Sequence, residues 1–291
     1  MKRVTSDALE KPLFAAPVAH CQARLSLGFA DDAGTTRMVE RSHFGPLRVQ
    51  KPLYPEGREV CQAIIVHPPG GVVGGDELSI DAYANANAKA FITTPGAAKW
   101  YKANDRVSRQ DVHLKIADHA SLEWLPQETI LFNAANVRLN HAVSLAEHAS
   151  YVGCEILCFG RTASGESFES GRVEQRTEIR RDGKLLWYEQ GAISGASMHS
   201  PLAMAGKTVC ATLIAVGKTL RPSVIGAVRD EAARHLMGAD QFGATQMKSV
   251  FVVRYLGHSS EAAKQLITRA WQTLRPELLD REAVLPRIWN T

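Results

Sequence analysis

The feature that most constrains this chain is an uninterrupted alternation of uncharged and charged residues. Val173, Gln175, Thr177 and Ile179 alternate with Glu174, Arg176, Glu178 and Arg180. A period of two belongs to a β-strand, whose successive side chains point to opposite faces. Asp182-Gly183 follows at once, and that dipeptide accepts the positive φ of a two-residue hairpin turn. The run therefore predicts two antiparallel strands, with opposite charges paired on a solvated face. Segments of similar character recur upstream between turn residues: "CQAIIVH", "AFITT", "DVHLKIA", "SLEWL", "HAVSLAE" and "ASYVGCEILCF". Together they predict an all-β body.

Helical periodicity enters late. In "SSEAAKQLITRAWQTLRPELL" an apolar face of Ala263, Leu266, Ile267, Ala270, Trp271, Leu274 and Leu278 forms at three-and-four spacing. Ser259-Ser260 starts the helix and Pro276 is the expected stop. "PSVIGAVRDEAARHLMG" predicts a second helix, with Val224, Val228, Ala232 and Leu236 on one face and Gly238 as its stop. Both are expected to dock on the β body. At 291 residues and 45% hydrophobic, the chain can bury a core without disulfide staples. It has no proline-, glycine- or serine-rich linker and no repeat of fixed period, so one domain over 1–291 is expected, with 1–20 as a poorly ordered extension.

Charge and cysteine usage narrow the function. The 34 basic and 30 acidic residues are dispersed, with no basic run to follow a phosphate backbone, which argues against nucleic acid as a partner. The opening "MKRVTSDALEKPLFAAP" has no apolar run of signal-peptide length, and no stretch is apolar enough to span a bilayer, so no membrane partner and a cytoplasmic location are expected. The five cysteines are odd in number and scattered, which is not a disulfide framework. Cys154 and Cys158 would lie on one strand face but roughly 13 Å apart, too far to bridge or to chelate one ion.

The stretch "HPPGGVVGGDEL" poses the sharpest chemical question. Neither the dinucleotide fingerprint nor the P-loop spacing is present, and no lysine follows the glycines. Pro68 and Pro69 stiffen the segment, while Gly70, Gly71, Gly74 and Gly75 can take backbone angles closed to other residues, with Asp76 at the end. That combination suits a tight crossover between strands, or a surface approached closely by a partner's backbone. No H-E-x-x-H, G-x-S-x-G or paired histidines at ligand spacing occurs elsewhere.

The same run, with "TTPGAAKWYKA", "LEWLPQETILFNAANVRL", "CFGRTASGESFESGRVEQRTEIRRDGKLL", "VRYLG" and "LRPELLDREAVLPRIWNT", closely resembles the urease accessory protein D family, UreD or UreH, from about residue 20 to the C-terminus. The resemblance implies a largely β, helix-like stacked architecture with a few helices. It also implies a non-enzymatic cytoplasmic protein that joins a urease accessory F-type protein and a G-type GTPase, binds apo-urease and helps deliver nickel.

A protein that hands nickel onward has no tightly bound cofactor and gains from weak oxygen donors, because Ni²⁺ stands high in the Irving–Williams order. Acids facing an interior path are then the candidate metal residues: Asp76 at the glycine loop, Glu155 inside an apolar strand, and Glu123 before Trp124. Burying an acid among apolar residues is costly unless it is paired, hydrated or metal-bound, which makes Glu155 the most informative; Glu123 and Glu155 could instead face solvent from alternating strands. Lys99, Trp100 and Tyr101 are candidate partner contacts, since aromatics and bases concentrate in interface hot spots; they could equally be a strand end. Two further functions compete. One is an interaction scaffold that never touches metal. The other is a glycan-processing enzyme with Glu155 and Glu169 converging across a cleft.

Overall fold

The computed structural model describes residues 20–236 and 238–290. Apart from His20, the extension expected over 1–20 lies outside the described residues. Strands β1 (Gln22–Asp32) and β2 (Thr35–Phe44) form an antiparallel hairpin, and the two-residue β3 (Arg48–Val49) leads into β4 (Val60–Val66). The chain then coils. β5 (Glu77–Ala84) turns into β6 (Lys89–Thr93) and the short β7 (Ala98–Trp100); β8 (Ser108–Ile116) turns into β9 (Ser121–Leu125) and β10 (Thr129–Leu131); β11 (Asn136–Leu145) turns into β12 (Ser150–Phe159).

Successive coils stack in parallel: β5 on β8 on β11 in one sheet, and β6 on β9 on β12 in the other. β13 (Arg172–Arg181) adds to the first sheet in parallel with β11, and antiparallel strands then close the stack: β14 (Lys184–Ser194) finishes the first sheet, and β15 (Val209–Val216), β16 (Gln241–Met247) and β17 (Val250–Gly257) finish the second. The stacked, mainly β architecture with helices only toward the C-terminus is thus borne out. No helix among the described residues is long and apolar enough to cross a membrane.

The β13–β14 hairpin turns at Asp182-Gly183 with φ of 46° and 77°, as the dipeptide predicts. Its charged face carries a ladder of ion pairs, Arg138–Glu174, Arg176–Glu178 and Arg180–Glu178. The inner faces of the two sheets meet in one core that includes Leu25, Phe29, Ile92 and Leu139. The outer face of the second sheet carries another, covered by α1 (Pro222–His235) and α2 (Ser260–Leu279). Strand β12 is apolar on both faces because it sits between these two cores.

Both helices bury the residues expected of them: Val228 and Ala232 in α1, and Leu266, Trp271, Leu274 and Leu278 in α2. Their ends differ from expectation. α1 stops at His235, before Gly238. Pro276 does not stop α2, which runs on to Leu279 and ends at a left-handed Asp280 with φ of 54°. Proline at this position removes a single hydrogen bond near the C-terminal end, and burial of Arg275 and Leu278 holds the last turn in place.

Candidate functional site

The glycine stretch is the crossover that carries the chain from β4 in the second sheet to β5 in the first. It is pinned to the neighbouring coil, Val72 N donating to Lys99 O at 2.8 Å and Tyr101 N to Val72 O at 2.9 Å. A Cβ on Gly74 would stand 1.7 Å from the Ala103 carbonyl oxygen, so only glycine allows the two backbones this close. Gly75 has φ of +96°, a region that penalises side chains. Asp76 ties the loop down. Its Oδ1 accepts from Cys21 N at 2.8 Å and its Oδ2 from Val73 N at 3.0 Å, and the residue is buried. His67 lies near enough to feel the Asp76 charge, but burial prevails and holds its pKa below the usual imidazole value.

Of the three candidate contact residues beside this loop, Lys99 is exposed, Tyr101 is half-buried edge-on to Phe132 at 4.7 Å, and Trp100 is buried in the core. Strand alternation explains the difference, since Lys99 and Trp100 point to opposite faces of β7. In this conformation Trp100 offers no surface to a partner.

The chemically distinctive feature lies between the two sheets. A cavity of about 120 Å³ opens there, lined by Glu155, His141, Tyr151, Gln127, Gln175 and Thr212 among others. Parallel stacking places Ile80, Val112, His141 and Thr177 in one column across the first sheet, so the lining passes from apolar to polar along the stack. From the opposing sheet, β12 contributes Tyr151 and Glu155 on its inner face, with Thr212 of β15 beside Glu155. His141 Nε2 and the Tyr151 hydroxyl are 2.7 Å apart.

Electrostatics here are dominated by burial. Desolvation raises the Glu155 carboxyl to about 7, against a hydrogen bond donated by Gln175 Nε2 that favours its charged form, while the charge of Glu189 raises it further. Desolvation also lowers His141 to about 4, with a smaller contribution from His113, so its imidazole is neutral near pH 7. Glu189, across the cavity, is bound to Arg254 Nη2 at 2.8 Å through both oxygens. Among the described residues no lysine or arginine pairs with Glu155. Its partial exposure is exposure to the cavity.

Glu123 is also inside, on the other face of the second sheet. It is fully buried beneath α2, where Arg275 Nη2 donates to Oε1 at 2.9 Å and Trp271 Nε1 to Oε2 at 2.7 Å. Arg275 also reaches Glu56 at 2.6 Å and lies 5.1 Å from the centre of the Trp271 ring. The three acids are therefore separated: Glu155 in the cavity, Glu123 in an ion pair under a helix, and Asp76 in a loop tie outside the cavity lining. Neither Glu123 nor Glu155 faces bulk solvent. Glu169 sits exposed on the loop before β13, outside the cavity, so it does not converge with Glu155.

His141, Tyr151, Gln175 and Glu189 belong to this site without any motif to announce them. Register alone brings them together, and only Gln175 was legible, from its parity in the alternating strand. All five cysteines are free, and burial pushes Cys154 and Cys158 up to about 12, which makes them unreactive core thiols.

Comparison with known proteins adds an independent line. The family model for the UreD urease accessory protein matches residues 21–290. A urease accessory protein UreD of Janthinobacterium sp. (strain Marseille) is 65% identical over 272 residues, covering 93% of this chain and 92% of the relative. Its counterpart in Nitrosospira multiformis is 54% identical over 93% of this chain and 98% of its own length. A third, in Methylobacillus flagellatus, is 46% identical over 93% of this chain and 94% of its own length. With the stacked β architecture, the glycine crossover and a match of this extent, the chain belongs to the UreD urease accessory protein family.

Proposed function

We propose that this chain is a non-catalytic accessory protein that helps insert nickel into apo-urease. In this reading it acts in the cytoplasm, within a complex with an F-type accessory protein and a G-type GTPase, as both scaffold and nickel conduit. The observation that carries the conduit is Glu155, a carboxyl held in a cavity of mixed polar and apolar lining, paired with no lysine or arginine among the described residues and raised to a pKa of about 7. Such a group exchanges a proton for a metal ion near neutral pH, and a lone oxygen donor among amides and hydroxyls releases nickel readily. The neutral imidazole of His141 adds a nitrogen donor without adding charge. Asp76 and Glu123 have structural duties here, because their oxygens are engaged by backbone N–H groups and by Arg275 and Trp271 respectively. Lys99 and the exposed edge of Tyr101 belong to the partner-facing surface.

The test is Glu155→Gln, which keeps shape and hydrogen bonding but removes the ionisable oxygen. Urease matured in cells with this variant should hold less nickel, while the variant still copurifies with the two accessory partners and apo-urease. Full nickel loading by Glu155→Gln would leave the chain as a scaffold that does not touch the metal.

A further inference from the structure

Three stacked turns connect the two sheets along one corner of the coil, at residues 85–88, 117–120 and 146–149. They share a pattern: Asn87-Ala88, His119-Ala120 and His148-Ala149 occupy equivalent places, with Ser121 N bonded to Ala88 O and Ser150 N to Ala120 O. The coil therefore lays His148 directly over His119. Their rings are parallel within 9° and 4.7 Å apart, the spacing of neighbouring strands. Asp118 joins them from the same corner. Its carboxylate lies 3.0 Å from His148 Nδ1 and 3.4 Å from His119 Nε2, and one donor atom from each of the three residues falls within 4.8 Å of the others.

We propose that Asp118, His119 and His148 form an exchangeable surface site for a borderline divalent transition-metal ion of the Ni²⁺, Co²⁺ or Zn²⁺ class. The donor set is two imidazoles and one carboxylate, which suits these ions and not calcium or magnesium. With Asp118 Oδ2 as the shared oxygen, His148 Nδ1 at 3.3 Å and His119 Nε2 at 3.4 Å match the roughly 3.4 Å between donors about 2.1 Å from a tetrahedral ion, and a χ rotation of the stacked imidazoles brings the nitrogen lone pair of each onto the same ion. His119 is held at φ of +56°, an uncommon conformation for a residue with a side chain, and its ring stacks on that of His148 with Nε2 3.4 Å from the Asp118 carboxylate. Asp118 is oriented in turn by the backbone N–H of His148 at 2.9 Å. With three protein donors on an exposed corner, the remaining coordination positions belong to water, so the ion enters and leaves freely. No residue of this corner lines the cavity of Glu155, and the proposal stands apart from the conduit.

The double variant His119→Asn, His148→Gln tests it. Asparagine is chosen because Asn87 already holds the equivalent turn at φ of +62°, so the corner should keep its conformation. Ni²⁺ binding is measured by titration calorimetry on the full-length chain purified without a polyhistidine tag, beside Glu155→Gln. The wild type and Glu155→Gln should both bind the corner ion, with X-ray absorption reporting imidazole nitrogen at the nickel. The double variant should lose that one equivalent, and each single variant should weaken it about tenfold or more. The same stoichiometry and affinity in wild type and double variant, or no imidazole at the bound nickel, would overturn the proposal.

Discussion

Glu155 and His141 face one cavity with their pKa values displaced in opposite senses, and this has a consequence for stability. Glu155 rises from 4.5 to about 7, so the folded protein holds more protons than the unfolded chain across that window; its stabilisation is full below pH 4.5 and fades as pH climbs through 7. His141 falls from 6.5 to about 4, so its contribution is full above pH 6.5 and lost as pH drops toward 4. Between about 4.5 and 6.5 the two slopes oppose each other. Glu155→Gln removes one of them. Its melting temperature should therefore fall more steeply than that of the wild type on acidification from pH 6.5 to 5, in parallel thermal melts. Equal slopes would show that burial does not govern these two groups. At Asp76 the expectation concerns the loop: Asp76→Ala strips two partly buried N–H groups of their acceptor and should cost roughly 2 kcal/mol, at about 1 per group, the low end of the range for a buried donor left unpaired. Chemical denaturation measures it, and an unperturbed midpoint would mean that water replaces the carboxylate.

At the scale of elements, α2 is the part that the primary structure announces most clearly and whose chemistry it most fully conceals. The apolar stripe through Leu266, Trp271 and Leu278 was legible because an amphipathic helix needs only local periodicity. That Trp271 donates to Glu123, 148 positions earlier, was not, since nothing local marks a buried ion pair whose partners are this far apart. Trp271→Ala should cost about 3–5 kcal/mol, as truncation of a fully buried aromatic ring does. Glu123→Ala should cost a similar ~3–5 kcal/mol, because it strands the Arg275 guanidinium without its main carboxylate. The two losses should not add, because both variants break the same clamp. Equilibrium unfolding of the two single variants and the double decides the matter; strict additivity would show that the helix face and the ion pair act independently.

For the whole molecule, strands were legible wherever one face meets water, as in β13, whose charges alternate with Val173 and Ile179. Strand β12 defeats that logic. Helices cover its outer face and the first sheet its inner face, so alternation vanishes and nothing local tells which way Glu155 points. The coil was implied only by the family resemblance and not by the local pattern, because its rungs are unequal in length and leave no fixed period, although equivalent turns carry Asn87, His119 and His148. The cavity exists only once the stack is closed by β13 and β15. The claim that this space between the sheets carries nickel is tested most directly by filling it. Thr212 stands beside Glu155 on the cavity wall, and Thr212→Phe adds bulk there without altering any charge. The measurement is nickel bound per urease active site after maturation of purified apo-urease by the accessory complex containing wild type or variant, with complex formation and thermal melting matched. Transport through the cavity predicts a large fall in nickel loading while the complex assembles normally; undiminished loading with the cavity filled would contradict it.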